Sequence, residues 1–155
     1  FLRKSVAERP SDGTAWLELA RHYLGKADDY ASQEPNDDYT PPDPRPYYEK
    51  ALECFNRAVE LGEGSFQTHL ARARIADTLE MKSEAKAYGE SALNVAPPGE
   101  GHEVGDQIKW LREMVARNSD SVRREVNREE IEIRIRLRRL ESLPSFIRWG
   151  VSRFM

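Results

Sequence analysis

The stretch YYEKALECFNRAVELGEG, residues 47–64, decides the fold that the sequence predicts. Ala51, Phe55 and Ala58 follow one another at spacings of four and three, so they share one face of a helix. Small residues on either side of a large one indicate that a second helix approaches closely there. If that is the reason for the pattern, it should recur elsewhere in the chain.

The pattern recurs 34 residues later. Ala85, Gly89 and Ala92 each stand 34 residues after their counterparts in the first stretch. The first segment ends in VELGE and the second in LNVAP, and residues 5–10, SVAERP, have a similar form. A fixed period of this length is typical of repeat architectures, in which stacked helix pairs bury a common core.

Each of the two segments is preceded by a second helical pattern. In residues 14–25 and 65–84, apolar residues recur at the spacing of one helix face. Pro10 predicts the end of the preceding helix, and Ser11 and Asp12 predict an N-cap for the first of these helices. The residues on the two faces are Trp16, Leu19, Ala20 and Tyr23 in the first helix, and Leu70, Ala73, Ala76 and Leu79 in the second.

This arrangement resembles the tetratricopeptide repeat, a helix-turn-helix family with a period of about 34 residues. The resemblance covers about residues 1–98, and the chain departs from it at His69 and Gly89, where the family prefers aromatic residues. It implies an all-α fold of antiparallel helix-turn-helix repeats stacked as a solenoid, which binds proteins. The matching positions are Trp16, Leu19, Ala20, Tyr23, Ala51, Phe55 and Ala58, then Ala73, Ala85, Ala92 and Pro97.

The first repeat contains an acidic, proline-rich insertion at residues 26–46. Residues 27–44 hold six carboxylates and no Lys or Arg, and four prolines lie between 41 and 46. This composition predicts a loop, with Asp43 and Pro44 starting the next helix. It lacks the central Gly of an EF-hand, so either a solvated loop or a docking element for a partner is expected.

The resemblance also implies a peptide-binding groove lined by the first helix of each repeat. Two arginines at equivalent places suit a peptide that carries carboxylates. The alternative is that they are solvated or bridge to Asp77, Glu18 or the acidic loop. Family members that clamp the carboxyl tails of chaperones have Lys and Asn where this chain has Leu17 and Arg21, so that activity is not expected. The groove residues are Leu17, Arg21, Leu24, Leu70, Arg74 and Asp77.

The C-terminal third predicts two further helices. Val104, Ile108, Leu111 and Val115 form one stripe, typical of a helix that caps the last repeat. Residues 118–121 predict a break with N-cap residues. Residues 131–137 alternate apolar and charged side chains, a pattern typical of a strand. A strand without a partner strand, however, would leave its backbone N–H and C=O groups unpaired. A helix is predicted instead, supported by i,i+4 pairs of Glu130 with Arg134 and of Glu132 with Arg136.

This last helix has apolar residues on two sides. Ile131 and Ile135 lie opposite its main apolar stripe, which predicts two neighbours: the repeat domain and either a second protein or a second copy of the chain. Alternatively, the C-terminal tail covers Ile131 and Ile135. The tail, residues 144–155, contains Phe146, Trp149 and Phe154 among arginines, and it suits folding back, docking in a partner or contact with a membrane surface. The main stripe is Val122, Val126, Ile133, Leu137, Leu140 and Leu143.

Composition and motifs argue against several function classes. Residues 1–118 carry 15 basic and 21 acidic residues, and this acidic body is unsuited to binding nucleic acid. His22, His69 and His102 lie in separate elements with no metal-ligand spacing, and no nucleotide-binding or hydrolase motif occurs. Cys54, the one cysteine, is predicted to be a buried apolar residue.

The sequence therefore predicts a TPR-like domain at 1–118 and a basic helix with an amphipathic tail at 119–155. The expected function is a non-catalytic interaction module, an adaptor, scaffold or accessory subunit of a protein complex, without a cofactor or metal. The alternative is an assembly factor that contacts the bilayer through residues 144–155. An intracellular location is expected, in the cytoplasm or an organelle such as the mitochondrion, and the earlier removal of a targeting signal before Phe1 is left open.

Overall fold

The computed structural model describes residues 2–98 and 101–144. In this part of the chain the fold is all-helical, which confirms the predicted all-α class; there is no strand, and one isolated bridge joins Asn36 and Tyr39. The described helices are α1 (Leu2–Glu8), α2 (Gly13–Ser32), α3 (Arg45–Glu60), α4 (Phe66–Thr78), α5 (Lys82–Asn94) and α6 (His102–Glu141).

The first five helices pack mainly against their neighbours in sequence. α2 packs against α3, and α4 packs against α5, so the chain forms two helical hairpins. α3 also contacts α4, and α1 contacts α2. The first hairpin begins where it was predicted, since the Asp12 carboxylate caps α2 by accepting a hydrogen bond from the Thr14 backbone N–H at 3.1 Å.

The small residues of the opening stretch lie where helices touch. Ala51 and Ala58 are fully buried, and Phe55 between them is 2% exposed. Ala85 and Ala92 are likewise fully buried in the second hairpin. Close approach of two helices requires small side chains at the contact, so both observations follow from the sequence pattern.

The predicted loop at 26–46 is wrong for its first seven residues, because α2 continues to Ser32. Ala27 is fully buried, and the Tyr30 and Tyr47 ring centroids lie 5.1 Å apart, so α2 gains contacts with α3 by continuing. The Tyr48 hydroxyl also donates a hydrogen bond to Asp28 Oδ1 at 2.8 Å. The acidic composition suggested a loop, but tertiary packing favours helix here.

The predicted break at residues 118–121 is also wrong, because α6 runs without interruption through it. Asn118 Nδ2 donates to the Met114 carbonyl at 3.1 Å, and Ser119 Oγ donates to the Val115 carbonyl at 2.7 Å. Both side chains thus bond one turn back along the helix and do not cap a new one. The helix predicted over residues 131–137 is confirmed, with Arg134 Nη2 2.6 Å from Glu130 Oε1.

The chain divides into two compact units, Phe1–Ser119 and Asp120–Met155. In the first unit, the α6 residues Leu111 and Met114 are fully buried in a cluster with α4 and α5. Val104, Ile108 and Val115 of the predicted capping stripe pack against the same cluster. The α6 portion of this unit therefore covers the second hairpin.

Candidate functional site

A groove of about 550 Å³ lies in the first unit, between side chains of α2, α3, α4 and α6. Five of the six residues that the sequence assigned to a groove line it, whereas Leu17 is buried in the core. The structure thus brings α2 and α4 residues that are about 50 positions apart in sequence to one depression. The five residues are Arg21, Leu24, Leu70, Arg74 and Asp77.

The lining of the groove is apolar at its base. Phe55, Leu70 and Ile75 contribute to it and are each almost completely buried. Leu24 and Trp110 are partly exposed along its sides. An apolar base with a few polar groups around it is the usual form of a site that binds another molecule.

Arg21 and Arg74 are the basic residues of the groove. Both are exposed, and the Arg74 guanidinium lies 5.8 Å from the centroid of the Trp110 ring, within cation–π range. Within residues 2–98 and 101–144, neither arginine has a carboxylate within ion-pair distance. Their guanidinium groups retain the donors that bind carboxylates.

The acidic groups of the groove already have partners. Arg117 Nη2 lies 3.1 Å from Asp77 Oδ2, and Asn118 Nδ2 donates to Asp77 Oδ1 at 3.3 Å. Asp28 accepts the Tyr48 hydroxyl, and burial, followed by this hydrogen bond, raises the pKa of Tyr48 to about 12. Asp77 therefore forms its ion pair with Arg117 of α6, and not with a groove arginine as the alternative prediction had it.

A second polar cluster joins α3, α4 and α5. The Arg72 guanidinium lies 4.0 Å from the centroid of the Tyr88 ring, and its Nε donates to Asn56 Oδ1 at 2.8 Å. Its Nη1 also lies 2.9 Å from His69 Nδ1. Burial, and then the positive charge of Arg72, lower the pKa of His69, so the neutral imidazole is favoured. These groups are satisfied by one another, which indicates a structural role.

Several groove contacts were not found by sequence reasoning. Trp110 and Tyr48 line the groove, and Arg117 and Asn118 hold Asp77. Arg117 lies 40 residues from Asp77, and no local spacing links two residues so far apart. A helix-face pattern identifies exposed residues of one element but does not show which other element supplies their partners.

Two features of the described residues bear on metal binding and on thiol chemistry. Among them there is no group of three or more His, Cys, Asp or Glu residues that could hold a metal ion. Cys54 is buried, as predicted, and burial, followed by the nearby Glu53, raises the pKa of its thiol to about 11. The thiol is therefore protonated at neutral pH and is a poor nucleophile.

The residues predicted to bind a partner through the C-terminal segment fall into two groups. Ile131 and Ile135 of α6 are 56% and 45% exposed. Phe146, Trp149 and Phe154 lie outside the described residues. Of the helices that the structure describes, none is both long enough and apolar enough to cross a membrane.

Comparison with known proteins adds no identification. No family model matches the chain, and no curated protein is significantly similar to it.

Proposed function

We propose that the first unit is a repeat-type, TPR-like protein-interaction domain whose groove binds an acidic peptide. The observation that carries the proposal is that Arg21 and Arg74 line one apolar groove and lack a carboxylate partner among the described residues. Asp77, the nearest acidic group in sequence to Arg74, is held by Arg117. Two arginines without partners beside an apolar base favour a ligand that supplies carboxylates as well as apolar side chains.

The likeness of the two hairpins supports a repeat arrangement. Fully buried alanines recur 34 residues apart, and each set lies in the second helix of its hairpin. The groove side chains come chiefly from α2 and α4, the first helix of each hairpin, as the resemblance implies. A protein of this kind acts without chemistry, as an adaptor, scaffold or accessory subunit, and needs no cofactor.

Selection of peptides from a displayed random library, with the full chain as bait, tests the proposal. We expect the selected peptides to be enriched in Asp and Glu beside apolar residues. A synthetic peptide from this set should bind the double variant Arg21→Gln/Arg74→Gln at least about tenfold more weakly, because one charge-assisted hydrogen bond contributes about 1.5–3 kcal/mol.

The matched control is Arg45→Gln. Arg45 is exposed and pairs with Glu49 at 3.2 Å, away from the groove, so its loss should leave the peptide's dissociation constant unchanged. Circular dichroism would show that all variants keep their helix content. Selected peptides without acidic enrichment, or equal binding to the double variant and the control, would overturn the proposal.

A further inference from the structure

Two oppositely charged residues of α4 line the groove but have different partners. Arg74 and Asp77 lie three positions apart on this helix, a spacing at which an arginine and a carboxylate are close enough to form an ion pair. The Asp77 carboxylate is instead held by Arg117, whose Nη2 lies 3.2 Å from Oδ1 and 3.1 Å from Oδ2. The Arg74 guanidinium lies against the Trp110 ring.

One face of α6 supplies both of these contacts. Trp110 and Arg117 stand seven residues apart, so they lie on the same side of the helix. The buried amide of Asn118, the next residue, also donates to Asp77 Oδ1 at 3.3 Å. Thus α6 meets the two groove charges of α4 separately, with an aromatic ring beside Arg74 and two donors on Asp77.

We infer that Arg117 is a positioning residue of the groove, which keeps Asp77 paired and so leaves Arg74 available for a carboxylate of the bound peptide. It does so in two ways. It removes the neighbouring carboxylate that would otherwise compete for Arg74, and it neutralises a negative charge that would repel an acidic ligand. Arg117 thereby determines that the groove prefers a carboxylate to an amide. This inference rests on the proposed function.

Titration of the full chain with a synthetic acidic peptide from the selected set, followed by calorimetry, tests the role of Arg117. We expect Arg117→Gln to weaken binding about three- to tenfold, because Arg74 is then partly occupied and Asp77 is left charged. Arg117→Lys, which keeps the positive charge, should recover most of the affinity. The matched control is Arg112→Gln, which removes the same charge from an exposed position of α6 outside the groove and should change nothing.

A double-mutant cycle separates this role from a general effect of net charge. Asp77→Asn should strengthen binding about three- to tenfold in the Arg117→Gln background, but by less than about twofold in the unchanged chain, where Asp77 is already paired. Arg74→Gln should likewise cost less affinity in the Arg117→Gln background than in the unchanged chain. Equal effects of Asp77→Asn in both backgrounds would overturn the inference.

A peptide in which Asn and Gln replace Asp and Glu separates it from a structural role. This peptide should bind Arg117→Gln and the unchanged chain equally, because it brings no charge to Arg74. Weaker binding of the amide peptide by Arg117→Gln would assign the residue to the shape of the groove and would overturn the inference. The Arg117 side chain is 60% exposed, so its replacement should leave the fold intact, and circular dichroism with urea denaturation would check this.

The outcomes distinguish this inference from the proposed function. If Arg21→Gln/Arg74→Gln weakens binding while Arg117→Gln behaves like Arg112→Gln, the inference fails and the proposed function stands. If no acidic peptide is selected, or binding does not depend on the two groove arginines, both fail.

Discussion

The two helical hairpins of the first unit use the same small residues but fill the space between them differently. Phe55 occupies the middle of the pattern in α3, where it is almost fully buried. Gly89 occupies the corresponding place in α5, and a Cβ added there would lie 2.6 Å from Val115 Cγ2 and 2.8 Å from Met114 Cε. At this position the first hairpin supplies its own aromatic side chain, whereas the second receives side chains from α6.

The connections of the hairpins differ as well. Residues 33–44 join α2 to α3, whereas residues 79–81 join α4 to α5. In the short connection Glu80 adopts a φ of 58°, a left-handed conformation that favours glycine. A hairpin with a short connection thus contains local backbone strain that the longer connection avoids. The same sequence pattern is therefore packed differently in the two hairpins: by Phe55 of α3 itself in the first, and by side chains of α6 in the second.

The largest effect is expected from Phe55→Ala. Truncating this buried ring removes the filling of the first hairpin, and we expect a loss of about 3–5 kcal/mol in the free energy of unfolding. Urea denaturation of the full chain would measure it. Phe55→Leu, which retains most of the volume, is the matched control and should cost less than half as much. A loss below about 1 kcal/mol for Phe55→Ala would show that the hairpin does not depend on this ring.

Gly89→Ala tests the corresponding place in the second hairpin. Alanine raises helix propensity by about 1 kcal/mol, but its Cβ would overlap Val115, and overpacking costs about 1–3 kcal/mol. We expect a net destabilisation of about 1 kcal/mol in urea denaturation. In the background Val115→Ala, which removes the shorter of the two overlaps and leaves the one with Met114 Cε, the same change should destabilise less than in the unchanged chain. Stabilisation by Gly89→Ala in the unchanged chain would contradict the close contact with α6.

Glu80→Gly tests the strain of the short connection. Glycine adopts the left-handed conformation without a steric penalty, although it adds freedom to the unfolded chain. We expect a gain of about 0.5 kcal/mol, read as a higher midpoint of thermal unfolding. Glu34→Gly, in the long connection of the first hairpin, is the control and should bring no gain. Equal effects at both positions would mean that the φ of Glu80 carries no strain.

The smallest effect concerns pH. Trp16 in the first hairpin corresponds to His69 in the second, and only the histidine titrates. Because its folded pKa is lowered, the unfolded chain binds the proton more readily, so stability is full above about pH 6.5 and falls as the pH drops through the lowered pKa. We expect the midpoint of thermal unfolding to change less between pH 8 and pH 5 in His69→Gln than in the unchanged chain. An equally steep dependence in the variant would assign it to other groups.

Much of the helix content could be predicted from particular residues. The alanines at 51, 58, 85 and 92 predicted the close contacts, and Asp12 predicted the start of α2. The groove arginines were selected by resemblance, and the structure shows them along one groove. The end of α2 and the continuity of α6 could not be predicted, because residues such as Asp28 and Asn118 favour loops or caps until distant partners bond them.

The sequence by itself determined the helical class and the buried alanine faces of α3 and α5, because spacings of three, four and seven residues act within one element. Tertiary structure alone decided which helix fills the space at Gly89 and which residue neutralises Asp77. Those contacts join residues from different helices of the first unit. Periodicity carries no information on such pairs, since only the packed arrangement brings their atoms within contact distance.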